Sequence, residues 1–142
     1  MTFFEDISIT IIAFGSHPYD LYGRTVEDIY NDGFGEIIEI SHLVNTNTQY
    51  ANTQSMGNAI KKLAKIWRSK CFDFVIALGD RYEMFAAVAS TLPFNLKLVH
   101  IHGGEKTLGA IDNSFRHSIT SMSKIHFVSS ESHKKRVLEL LD

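Results

Sequence analysis

A short apolar run that stops at a glycine, a helix, and a second apolar run that stops at a diglycine set the architecture of this chain. Phe74-Val75-Ile76-Ala77-Leu78 ends at Gly79 and reads as a strand buried on both faces, with Asp80 and Arg81 delivered from its carboxyl end. Met84–Leu92 has helix composition, Pro93 and Asn95 punctuate it, and Leu96–Ile101 returns as a strand entering His102-Gly103-Gly104-Glu105. Crossovers between parallel strands are right-handed, so this βαβ unit brings Asp80 and Glu105 to one rim. Open parallel sheets bind their ligands at such rims.

The same alternation runs through the rest of the chain. Ile7–Phe14 is β-branched, ends at Gly15 and predicts a strand, followed by the loop Gly15-Ser16-His17-Pro18-Tyr19-Asp20 on the same rim. Thr25–Tyr30 reads as a short helix stopped at Asn31-Asp32-Gly33, and Glu36–Ile40 as a strand placed near an edge by its flanking charges. The polar stretch Asn45–Gln54 is a mobile loop or a helix lead-in. From Ser55 onward Met56, Ala59, Ile60, Leu63, Ile66 and Trp67 recur at helical spacing, with Lys61, Lys62, Lys65 and Arg68 on a solvated face. Asp112 or Asn113 is a natural N-cap for a helix burying Phe115, Ile119 and Met122. Ile125–Val128 is then a strand, Ser129-Ser130 its rim turn, and Glu131–Leu141 a helix with Val137, Leu138 and Leu141 inward. The expectation is one α/β domain over residues 1–142 with a doubly wound parallel sheet.

Charge and cysteine usage narrow the partners. With 14 basic and 16 acidic residues well mixed, net charge is −2 and no basic face argues for nucleic acid or an anionic membrane. No apolar run approaches the roughly 20 residues that span a bilayer, and Met1–Asp6 lacks the marks of a secretory signal, so a cytoplasmic location is expected. The single Cys71, beside Phe72, reads as a buried or half-buried inert thiol.

Four glycine- or serine-marked strand ends gather on the rim: Gly15-Ser16-His17, Gly79-Asp80-Arg81, Gly103-Gly104-Glu105 and Ser129-Ser130. Glycine there lets backbone approach a ligand and exposes N–H groups to anionic oxygens. Neither G-x-G-x-x-G nor a Walker A motif is present. Asp80, beside Arg81, suits acid, base or charge-stabilising work, or else caps the following helix. Glu105 is similar, and favoured for function because the diglycine adds no packing. His100 and His102 alternate on a strand and share one face, a metal-like spacing that lacks a third ligand and reads better as core or supporting histidines. Arg116 and His117 open a helix near the rim and suit phosphate; Arg81 pairs with Glu83 or Asp80 in the plainer alternative.

Three ordered motifs carry a resemblance. Gly79–Ala87 (GDRYEMFAA), His100–Glu105 (HIHGGE) and Gly109–Thr120 (GAIDNSFRHSIT), with Gly15-Ser16-His17 and Tyr22–Thr25 upstream, resemble the hydrolysing UDP-N-acetylglucosamine 2-epimerases of sialic-acid and related nonulosonic-acid synthesis. The likeness covers nearly the whole chain. It implies a Rossmann-like amino-terminal half of a B-type glycosyltransferase-like fold, with UDP-sugar in the cleft between two such halves. It further implies elimination of UDP to a 2-acetamidoglucal and addition of water to give free N-acetylmannosamine, without a cofactor or metal. By resemblance Asp80, Glu105 and Asp112 match the acid/base positions. His17, Arg81, His102, Gly103, Gly104, Ser114, Arg116 and His117 match positions lining the substrate.

Two departures from that pattern bear on structure. The family's first βα unit has no counterpart before Ile7, and neither does the carboxyl-terminal half that grips uridine diphosphate. Loss of a central first strand leaves a gap, or forces Ile7–Phe14 to pair with Phe74–Leu78. Exposed apolar edges then favour homo-oligomers, and the chain by itself is expected to lack turnover. The alternatives within the same reading are a UDP-2,4-diacetamido-trideoxy sugar as substrate, or a non-catalytic α/β interaction module.

Overall fold

The computed structural model describes residues 7–44, 46, 48–107 and 111–142. The Met1–Asp6 stretch and the Gly109-Ala110 part of the third motif lie outside them. In chain order the elements are β1 (Thr10–Ala13), α1 (Val26–Asp32), β2 (Glu36–Glu39), α2 (Gln49–Ser69), β3 (Val75–Leu78), α3 (Tyr82–Thr91), β4 (Leu98–Ile101), α4 (Asp112–Met122), β5 (Ile125–Phe127) and α5 (Glu131–Leu141). Every strand pairing is parallel. The strands form two sheets, β1-β2 and β3-β4-β5, and β1 does not pair with β3. Of the two expected outcomes, a gap rather than a β1–β3 pairing is the one observed among the described residues.

Helix α2 joins the two sheets through a shared core. Ala59, Leu63 and Trp67 on its buried stripe pack with Ile40 after β2 and with Ala86 and Ala87 of α3, while Ile12 of β1 and Val75 of β3 lie against the same cluster. The Trp67 indole N–H donates to Ser90 Oγ at 2.8 Å, so the largest buried ring also satisfies its polar atom. Helix α2 begins earlier than its apolar periodicity predicts, because Thr48 Oγ1 accepts the Ala51 N–H and caps it. The polar stretch is therefore the helix lead-in of the two alternatives.

A second core lies between the three-stranded sheet and its helices, where Ala77, Val88, Leu98 and Ile119 meet. The opposite face of that sheet is largely bare. Ile76 (65% exposed), Leu78 (58%), Ile125 (40%) and Phe127 (59%) alternate with the core residues and point away from α3 and α4. The expectation of a strand buried on both faces is thus corrected for β3, and Phe74 is half-exposed as well. On α5 only Val137 is buried; Leu138 and Leu141 are exposed, against expectation. Cys71 is exposed too.

Candidate active site

The carboxyl end of β3 is pinned from beneath. Gly79 turns at φ +92°, a conformation that frees Asp80 to leave the strand direction. The fully buried His100 of β4 holds this turn: its Nε2–H donates to the Gly79 carbonyl at 3.1 Å, and its Nδ1 accepts from the Thr120 hydroxyl of α4 at 3.2 Å. Burial holds the His100 pKa below its ordinary value and keeps the ring neutral. Above the turn, Asp80 forms an ion pair with Arg116. Arg116 is 6% exposed and stands on α4, where it also donates to Asn113 Oδ1 at 3.4 Å. The guanidinium that the sequence offers to phosphate pairs with Asp80, while its Nε lacks a partner among the described residues.

Glu105 follows the next strand tip. Strand β4 ends at Ile101, and His102 adopts φ +69° while its N–H donates to the Phe127 carbonyl at 3.0 Å. That reversal separates the two histidines expected on one face: His100 is buried, and His102 lies half-exposed on the rim. His102 Nδ1–H donates to Glu105 Oε1 at 2.6 Å and Ser129 Oγ donates to the same oxygen at 2.9 Å. These bonds, that from His102 foremost, hold the Glu105 carboxyl below the usual range. Beyond Ser129, His133 Nδ1 lies 2.9 Å from its hydroxyl.

The diglycine is packed rather than free, which corrects the reading that it adds no packing. A Cβ on Gly103 would stand 3.1 Å from His100 Nδ1 and 3.3 Å from Thr120 Oγ1. One on Gly104, at φ +76°, would stand 2.4 Å from the His133 carbonyl oxygen of α5. Arg136 donates to the Gly104 carbonyl at 2.6 Å. Helix α5 thus presses on the loop that carries Glu105 and also ties it down.

The remaining candidates spread around this pair. Asp112 opens α4 in its first turn, half-buried; the N-cap is Ile111 with no side-chain bond, so the capping alternative fails for Asp112. Asn113 instead clamps the preceding loop, accepting the Thr107 N–H at 2.9 Å and donating to the Thr107 carbonyl. Ser114 is exposed and its carbonyl accepts from Ser118. His117 is half-buried with Nε2 lacking a partner among the described residues, and burial lowers its pKa. Arg81 is exposed, pairs with Glu83 at 3.3 Å, and lies over the Tyr82 ring at 5.9 Å. His17, on the β1 loop, bonds Thr25 Oγ1 at 2.8 Å. Beside Arg81 a cavity of about 520 Å³ is lined by Ser16, Tyr22, Asn52, Arg81, Tyr82 and Glu83, a volume in the range of small-molecule sites. Burial and neighbouring Glu83 push the Tyr82 phenol up to about 12.

Residues 3–141 match the family model for UDP-N-acetylglucosamine 2-epimerase. The chain belongs to that family. Among its relatives, a hydrolysing GDP/UDP-N,N'-diacetylbacillosamine 2-epimerase from Campylobacter jejuni is 40% identical over 96% of this chain and 35% of its own length. A polysialic acid biosynthesis protein from Escherichia coli is 38% identical over 95% of the chain and 34% of its own length. The chain therefore spans about a third of the length of the curated relatives it matches. A crystal structure of a UDP-N-acetylglucosamine 2-epimerase from Listeria monocytogenes superposes with a TM-score of 0.72 at 17% identity, covering 93% of this chain and 33% of that one. The Neisseria meningitidis enzyme solved with UDP-N-acetylglucosamine gives 0.67 at 16% identity over 92% and 42%. Both share the parallel α/β fold.

Two residues bonded into the Glu105 network escaped the sequence reading as site residues. Ser129 was legible as a rim turn, but its bond to Glu105 spans 24 residues and has no local signal. His133 was legible only as an α5 surface residue, although its spacing of four from Ser129 across a helix start is the spacing that brings such side chains together.

Proposed function

We propose that this rim is the acid/base half of a hydrolysing UDP-sugar 2-epimerase, with Asp80, Glu105 and Asp112 as its working carboxylates. The observation that carries the reading is the pairing of unlike environments at adjacent strand tips. Asp80 is locked to a buried guanidinium, and Glu105 is kept ionised by His102 and Ser129. An elimination needs a base already ionised before the C2 proton is touched, and Glu105 meets that need at neutral pH. It takes the C2 proton while the C1–O bond to UDP breaks and an acid protonates the departing oxygen, leaving a 2-acetamidoglucal. Water then adds hydroxyl to C1 and a proton to the opposite face of C2, giving the free 2-epimer. UDP-N-acetylglucosamine is the substrate by family description. A UDP-2,4-diacetamido-trideoxy sugar is the second reading, favoured by the 40% and 36% identical relatives whose names carry that substrate.

The uridine diphosphate is assigned to the part of the relatives' length that this chain does not match, about two thirds, with the buried Arg116 facing Asp80. Residues 1–142 act as one partial domain, giving no measurable N-acetylmannosamine from UDP-N-acetylglucosamine by themselves. The bare face of Ile76, Leu78, Ile125 and Phe127 packs against a second copy. The test is a chimaera in which this chain replaces the matched third of the Campylobacter jejuni relative. Release of UDP with a free reducing sugar supports the reading; a folded chimaera that cleaves neither candidate substrate refutes it.

A further inference from the structure

The atoms around Glu105 continue past the carboxylate. Ser129 Oγ stands 2.9 Å from Glu105 Oε1 and 2.9 Å from His133 Nδ1, and Ser129 has one proton to give. With Glu105 ionised, the hydroxyl donates to the carboxylate, so His133 must donate from Nδ1–H. With Glu105 protonated, its O–H donates to Ser129, the hydroxyl turns to His133 Nδ1, and the imidazole carries its proton on Nε2. The carboxyl state and the imidazole tautomer are thereby tied through one rotatable hydroxyl.

We propose that Ser129 and His133 form a proton path that resets Glu105 between turnovers, discharging the substrate's C2 proton to water. The step balances. Glu105 O–H passes its proton to Ser129 Oγ as the Ser129 proton passes to His133 Nδ1, and His133 Nε2–H goes to water from a ring that is partly exposed. What remains is the Glu105 carboxylate and the Nδ1–H tautomer; before the next discharge the partly exposed ring takes a proton on Nε2 from water and gives its Nδ1 proton to water, which restores the Nε2–H form. The geometry is held from both sides. The His133 carbonyl sits where a Gly104 Cβ would be, and Arg136 binds the Gly104 carbonyl at 2.6 Å. The titratable and charged groups facing the path are His102, which bonds Glu105, Arg116 of α4, and Arg136 of α5; Glu131 and Lys134 pair with each other at 3.0 Å. Neither Ser129 nor His133 touches substrate in this scheme; both act through Glu105, and the inference rests on Glu105 being the working base.

The experiment is nitrogen-15 correlation spectroscopy of the imidazoles in the labelled chain at pH 8. The expected result is His133 in the Nδ1–H form, shifting to Nε2–H in Ser129→Ala. His133 in the Nε2–H form in the unsubstituted chain overturns the path, and so does an Nδ1–H form that survives Ser129→Ala. In the chimaera, His133→Ala lowers turnover and added imidazole restores it severalfold; a rate indifferent to imidazole also overturns it. The tautomer measurement needs no turnover, so an inactive chimaera refutes the functional reading while leaving the hydrogen-bond wiring separately decided.

Discussion

Replacing Gly104 by alanine tests whether α5 positions the Glu105 loop, and the structure supplies its own controls. Gly79 has φ +92° with open space where a Cβ would go, so Gly79→Ala costs only the left-handed strain, about 1–2 kcal/mol. Gly103 has no such strain but meets His100 Nδ1 at 3.1 Å and Thr120 Oγ1 at 3.3 Å, side-chain atoms able to give way, so Gly103→Ala costs about 1 kcal/mol. Gly104 combines strain at φ +76° with backbone at 2.4 Å and the Val137 Cγ2 at 2.9 Å. Backbone of a helix cannot yield without moving α5, which adds about 1–3 kcal/mol of overpacking to the strain, for about 2–5 kcal/mol in all. Against a typical domain stability of about 5–15 kcal/mol, that loss is large. Urea unfolding followed by circular dichroism at one pH ranks the three variants. Gly104→Ala no worse than Gly79→Ala would refute the claim that α5 presses on this loop.

Arg116→Met strands the mostly buried Asp80 carboxylate and costs about 2–4 kcal/mol, below the fully buried range because Asp80 keeps 20% of its side chain exposed. Adding Asp80→Asn returns about 1–3 kcal/mol, and strictly additive losses in urea unfolding would mean the pair is not coupled. His42 and His100 are both held neutral by burial, with folded pKa values below the usual 6.5. As pH falls below about 6.5 the unfolded chain takes protons that the fold refuses, so stability drops from pH 7.5 to 5.5, and a flat or rising profile contradicts that assignment. Sedimentation equilibrium of the chain shows association that Ile76→Lys with Phe127→Lys weakens; a clean monomer at high concentration counts against a buried bare face.

Strand and helix order was legible because three strands run into glycines, at Gly15, Gly79 and Gly103, β5 runs into Ser129-Ser130, and α2 carries a clear helical period. The rim followed from parallel handedness: β3 and β4 are parallel neighbours, and Asp80 and Glu105 follow their carboxyl ends. What the sequence hid was partnership across distance. Arg116 reads as a phosphate-binding residue near the rim until α4 is laid against β3, and the diglycine reads as open backbone until α5 is seen against Gly104. His102 was misplaced because alternation assumes the strand continues, whereas β4 stops one residue earlier. Apolar character alone also predicted burial for Ile76 and Leu78, but burial requires a covering layer, and none of the described helices covers that face.

The most direct measurement is the turnover of the chimaera with Asp80→Asn and with Glu105→Gln, each compared with the unsubstituted chimaera on the same UDP-sugar. General acid–base work at these positions makes each rate fall by about 100-fold or more while the protein stays folded. Parental rates in both variants would mean that the chemistry lies elsewhere.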